Sequence, residues 1–127
     1  MAPVNIEARR ILVVDDEPLV CEAVRAVLRF DGHEVETAGN GQEALARCQE
    51  RTFDVIITDY SMPLMKGDEL AGAIKARAPH QPIIMITAYA ETLSPSDNRL
   101  AAVDSLVSKP FRLEELREAI SHVLSDA

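Results

Sequence analysis

The chain has 127 residues, 47% apolar and 27% charged, which suits one globular domain rather than a disordered polypeptide. Its 21 acidic and 13 basic residues leave a formal charge of −8, which disfavours direct contact with nucleic acid. No apolar run approaches the ~20 residues needed to span a membrane, the first ten residues hold no apolar signal core, and Cys21 and Cys48 make no disulfide framework, so buried reduced thiols in a cytoplasmic protein are expected.

Residues 1–9 are polar and are expected to fray. A strand over 10–14 follows, built from Ile11, Leu12, Val13 and Val14, and it stops at Asp15-Asp16. Pro18 suits the first turn of a helix over 17–31, whose inner stripe is Val20, Val24, Val27 and Leu28, with Gly32 as its stop. The alternation His33-Glu34-Val35-Glu36-Thr37 predicts an edge strand. Asn40 with Glu43 predicts a capping box for a helix over 41–51. The run Asp54-Val55-Ile56-Ile57-Thr58-Asp59 is the most buried-looking strand, and it ends on a carboxylate. Gly67 opens a helix that stops before Pro79. A strand over 82–86 ends at Thr87-Ala88, and Ser94-Pro95-Ser96-Asp97 predicts a cap and a short helix at about 95–102. A last strand over 105–108 ends at Lys109-Pro110, and Leu113, Leu116, Ile120, Val123 and Leu124 mark the inner face of a final helix. His33, His80 and His122 lack metal-ligand spacing and read as surface or structural residues.

Strictly alternating strands and helices predict an α/β domain, (βα)5, with a doubly wound parallel sheet covered on both faces. Strand order 2-1-3-4-5 is the common small solution, and ligands then bind at the carboxyl ends of the strands. That order makes Asp15, Asp16 and Asp59 neighbours, with Thr87 and Lys109 on the same edge. Three carboxylates in one cleft need a counter-charge. Mg2+ supplies it naturally, because it takes one or two carboxylates, keeps several waters and leaves room for phosphate oxygens. A carboxylate so placed is a nucleophile towards phosphorus, and Lys109 and Thr87 suit the phosphoryl oxygens.

The stretches Val13-Val14-Asp15-Asp16-Glu17-Pro18, Thr58-Asp59-Tyr60-Ser61-Met62-Pro63, Ile86-Thr87-Ala88-Tyr89 and Lys109-Pro110-Phe111 together resemble the receiver domain of two-component response regulators, of the single-domain chemotaxis type. The resemblance implies a flavodoxin-like domain over residues 10–125. It implies that Asp59 accepts a phosphoryl group from the phosphohistidine of a histidine kinase or phosphotransfer protein. It implies Mg2+ held by Asp15, Asp16, Asp59 and the main-chain carbonyl of Ser61, and phosphoryl contacts from Thr87, the Ala88 amide and Lys109. It further implies a switched face for an output protein, leaves a homodimer open, and describes a self-dephosphorylating receiver rather than a turnover enzyme.

Three positions depart from the pattern. Lys66 stands where an aspartate is usual, Ala102-Val103 where Gly-Ala is usual, and Leu106 where an aromatic couples phosphorylation to output. Without a ring at 106, the response is expected to run through 90–103, with Tyr89 as the modulating aromatic. Two other readings compete. The chain begins at Met1 and ends soon after the last helix, as a stand-alone protein would, but a receiver cut from a longer regulator or hybrid kinase would look the same. A haloacid-dehalogenase-like phosphatase shares Asp, Thr, Lys and Mg2+ but needs Asp-x-Asp on its first strand.

Overall fold

The computed structural model describes residues 9–88 and 101–125. In chain order the elements are β1 (Arg10–Val14), α1 (Pro18–Phe30), β2 (Glu34–Ala38), α2 (Gly41–Glu50), β3 (Val55–Asp59), α3 (Gly67–Arg77), β4 (Ile83–Thr87), β5 (Ser105–Ser108) and α4 (Leu113–Ser125). The strands form one parallel sheet in the order β2-β1-β3-β4-β5, as the alternation requires. The helix expected at about 95–102 lies outside the described residues, except Ala101 and Ala102, which form a turn.

Every residue of β3 and β4 is buried, which is why both read as unbroken apolar runs. Successive side chains still point to opposite faces. Ile11, Val13, Ile57, Ile84 and Ile86 meet Cys21, Val24 and Leu28 of α1 and Leu116, Ile120 and Val123 of α4. On the other face Leu12, Val14, Ile56 and Ile83 meet Ala44 of α2 and Leu70, Ala71 and Ile74 of α3. Each fully buried aliphatic side chain contributes roughly 1.5–3 kcal/mol. A two-point contact from Arg117 to Asp31, at 2.7 and 2.8 Å, ties α4 to the end of α1.

Several expectations are corrected in detail. Arg9 is not frayed: its N–H donates to His33 Nδ1 at 3.1 Å and its carbonyl accepts the Glu34 N–H at 2.9 Å. His33 is accordingly a buried structural residue whose pKa is lowered by burial, with the Asp31 charge opposing and that of Arg9 assisting. Helix α1 starts at Pro18 with Glu17 as its cap residue, and its buried stripe is Cys21-Val24-Leu28, with Val20 only partly buried against the core. Strands β2 and β4 each run one residue later than expected, so β4 includes Thr87. At α2 the Asn40 side chain accepts the Glu43 N–H at 2.8 Å, but the Glu43 carboxylate reaches the Gly39 N–H rather than that of Asn40. Cys21 is buried as expected, whereas Cys48 is only half-buried.

The connection from β3 to α3 holds the tightest backbone. A side chain at Gly67 would overlap the Asp59 carbonyl oxygen and meet Tyr60 Cα at 3.0 Å. Within the same loop Leu64 adopts φ 72 while 89% exposed. Gly67→Ala is therefore expected to destabilise by more than about 2 kcal/mol, because backbone has to move, whereas Leu64→Gly should stabilise by about 1 kcal/mol, because glycine tolerates positive φ. Urea unfolding of both variants checks the opposite signs.

Candidate functional site

The site lies where β1, β3, β4 and β5 end. Asp15 follows β1, and its N–H donates to the Ala38 carbonyl at 3.1 Å, which fixes it at the strand end. Its Oδ1 accepts the Glu17 N–H at 2.9 Å, so Asp15 also shapes the entry to α1. Asp59 closes β3 opposite Ile86, and the Tyr60 N–H donates to the Ile86 carbonyl at 3.0 Å. Thr87 closes β4 beside Ser108, and the Lys109 N–H donates to the Thr87 carbonyl at 2.9 Å. Asp15, Asp59 and Thr87 are buried and Asp16 is exposed.

One carboxylate oxygen from each of Asp15, Asp16 and Asp59 lies within 4.8 Å of the other two. The Lys109 ammonium stands 2.8 Å from Asp59 Oδ1 and 3.9 Å from Asp15 Oδ2. Burial raises the pKa of Asp15 to about 6; the Glu17 hydrogen bond pulls against this, the Asp59 and Asp16 charges add to it, and Lys109 opposes it. For Lys109, burial disfavours the charged form, but the hydrogen bond to Asp59 and the charges of Asp59, Asp15 and Glu17 outweigh it and raise its pKa. The cluster remains short of positive charge, and its hard oxygen donors fit Mg2+ in chemistry and in openness.

Of the residues singled out in the sequence, Asp15, Asp16, Asp59 and Lys109 converge directly. Thr87 joins them through strand register, Ala88 follows it exposed, and Ser61 is exposed two residues after Asp59. Leu106 is half-buried on β5, and Tyr89 lies outside the described residues. Three contributors were not read from the sequence. The Cys21 thiol, on α1, donates to the Asp15 carbonyl at 3.4 Å. Burial first, then the Asp15 charge, pushes that thiol up to about 11, so it is inert. Gly67 lets α3 approach the backbone of Asp59 and Tyr60, and Lys66 places its ammonium 5.7 Å from the centre of the Tyr60 ring. Gly67 left a signal as a glycine between a buried strand and a helix, and Lys66 only as a departure from the usual aspartate.

A doubly wound parallel sheet with three acids and a lysine at its carboxyl edge makes an open acidic site rather than a closed metal cage. Residues 11–121 match the model of the response regulator receiver domain, and the chain belongs to that family. It is 34% identical over 108 residues to the DNA-binding response regulator MtrA of Mycolicibacterium smegmatis, covering 85% of this chain and 47% of that protein. Among solved structures it resembles the response regulator TrrA of Thermotoga maritima in complex with Mg2+-BeF, with 40% identity, a TM-score of 0.84, and coverage of 91% of this chain and 99% of that one. TrrA in complex with the histidine kinase ThkA matches with 40% identity, a TM-score of 0.82, and coverage of 91% and 98%. The chain spans about half or less of the length of the curated relatives it matches, from 24% to 52%. No helix among the described residues is long and apolar enough to cross a membrane.

The raised pKa of Asp15 has a consequence for stability. Its folded value of about 6 lies above the ordinary 3.8, so the folded chain holds this proton more tightly than the unfolded chain. The stabilising contribution is complete below the ordinary value and is lost as pH rises towards the folded one. Without metal, Asp15→Asn should raise the melting temperature at pH 8 and change it less at pH 4. Thermal melts across that range, followed by circular dichroism, read the difference.

Proposed function

We propose that Asp59 is the phosphoacceptor, taking its phosphoryl group from the phosphohistidine of a histidine kinase or phosphotransfer protein. The observation that carries this is the Lys109 ammonium 2.8 Å from Asp59, inside a cluster whose three carboxylates lie within 4.8 Å of one another. An Asp59 oxygen forms a bond to phosphorus, the bond from phosphorus to imidazole nitrogen breaks, and the imidazole keeps the electron pair. Transfer of this kind depends mainly on positioning and charge neutralisation. Lys109, the Thr87 hydroxyl and the Ala88 amide receive the phosphoryl oxygens. Asp15, Asp16, Asp59 and the Ser61 carbonyl would hold Mg2+, which neutralises charge on the carboxylates and the phosphoryl group.

The product carries about −1.5 to −2 of added charge beside Thr87 and Lys109. That charge is the signal, and with Leu106 on β5 it is read without a rotating ring at that position. The output protein is a second partner, and Tyr89 is the residue assigned to slow hydrolysis of the aspartyl phosphate by water. The chain thus acts as a self-dephosphorylating switch rather than a turnover enzyme, in the cytoplasm, alone or as one part of a longer regulator.

Incubation with a small phosphodonor and Mg2+ should add one phosphate to the wild type, by intact mass, and none to Asp59→Asn; labelling of the variant at another site to the same extent would overturn the assignment. Asp16→Ala should abolish labelling and weaken Mg2+ binding measured by NMR titration. Its folding stability should change by less than about 1 kcal/mol, because Asp16 is exposed and bears a like charge. Tyr89→Ala should shorten the lifetime of the phosphorylated form, read as the decay of the mass increment.

A further inference from the structure

We propose that Lys66 is an electrostatic guide that draws small dianionic acyl phosphates into the site, so that the chain is charged by such donors faster than its acidic surface would otherwise allow. This rests on the reading of Asp59 as phosphoacceptor.

Lys66 is a poor choice for the helix it begins. It occupies the cap position of α3 and its side chain makes no capping bond. Serine, threonine, aspartate and asparagine are preferred there, and a cation faces the positive end of the helix dipole. The helix is instead secured by its own first turn, where the Glu69 carboxylate accepts the Lys66 N–H at 3.0 Å and Asp68 adds a second negative charge. The side chain is thus left for another use. Its ammonium lies over the ring of Tyr60, 5.7 Å from the centre, and among the described residues it pairs with no carboxylate.

Tyr60 directly follows Asp59. The Gly67 N–H donates to the Tyr60 carbonyl at 2.9 Å, and the Gly67 Cα faces the Asp59 carbonyl closely enough that no Cβ fits between them. The Lys66–Gly67 backbone therefore rests against the phosphoacceptor's own. The surroundings are otherwise hostile to an anion. Asp15, Asp16 and Asp59 converge, the whole chain carries −8, and the Lys109 ammonium is already committed to Asp59 at 2.8 Å. The Lys66 ammonium, held over the Tyr60 ring and paired with no carboxylate among the described residues, offsets the repulsion where the donor arrives, and it does so before Lys109 is released from Asp59. In the transfer itself an Asp59 oxygen bonds to phosphorus, the bond from phosphorus to the acyl oxygen breaks, and the carboxylate leaves with the electron pair.

The test compares labelling rates of wild type, Lys66→Gln and Lys66→Arg with Mg2+ and two donors, acetyl phosphate and phosphoramidate, the second carrying one negative charge fewer. At low salt Lys66→Gln should slow acetyl phosphate about threefold and phosphoramidate less, with both differences shrinking at high salt. Lys66→Arg should restore the wild-type rate, and Lys66→Gln should melt no lower than wild type because it removes a cation from the helix start. Equal rates for wild type and Lys66→Gln with acetyl phosphate at low salt overturn the proposal, as does equal slowing with both donors at every salt concentration. A wild type that takes no label from either donor would instead overturn the assignment of Asp59.

Discussion

Asp15, Asp16 and Asp59 repel one another, and the carboxyl edge of the sheet is organised around that repulsion. Their oxygens are held close because two neighbouring strands, β1 and β3, end side by side, not because the acids attract. The energy for holding them comes from the apolar runs behind them, where β3 and β4 are buried along their whole length. Lys109 offsets part of the excess charge, and the elevated pKa of Asp15 records what remains after burial and its neighbours have acted. A site left in deficit is receptive to a cation.

The fold makes this arrangement robust by separating its tasks. Among the described residues, α1 and α4 cover one face of the sheet and α2 and α3 the other, and neither cluster needs the strand-end residues for packing. Aspartates at the strand ends can therefore be chosen for chemistry. The inert Cys21 marks the boundary between the two regimes: its carbon packs with Val24 and Leu28, while its thiol holds the Asp15 carbonyl.

Most of this was legible in the sequence for one reason. Buried parallel strands are continuous apolar runs, and right-handed crossovers leave few ways to order them. Once the order is fixed, the residue that stops each run becomes a site residue, which is how Asp15, Asp59 and Lys109 were found. What escaped notice depends on geometry between distant segments. Arg9 looked like a loose end because His33, which fastens it, is 24 residues away. Thr87 was placed just beyond β4, although a β-branched residue continues a strand readily and here does so. Lys66 read as ordinary surface charge, since nothing in the chain announces that its neighbour in space is Tyr60.

The close approach at Gly67 has a further meaning. The Gly67 N–H bonded to the Tyr60 carbonyl closes residues 60–67 into a ring, with Met62 buried and Met65 half-buried as its inward anchors. Loops on a protein surface usually absorb changes of length. This one is a fixed-length spacer, because one residue more or fewer would either unseat the methionines or drag Tyr60, and Asp59 with it, along the strand. The turn beside Asp59 is thus constrained in its number of residues as well as at Gly67 and its two methionine anchors.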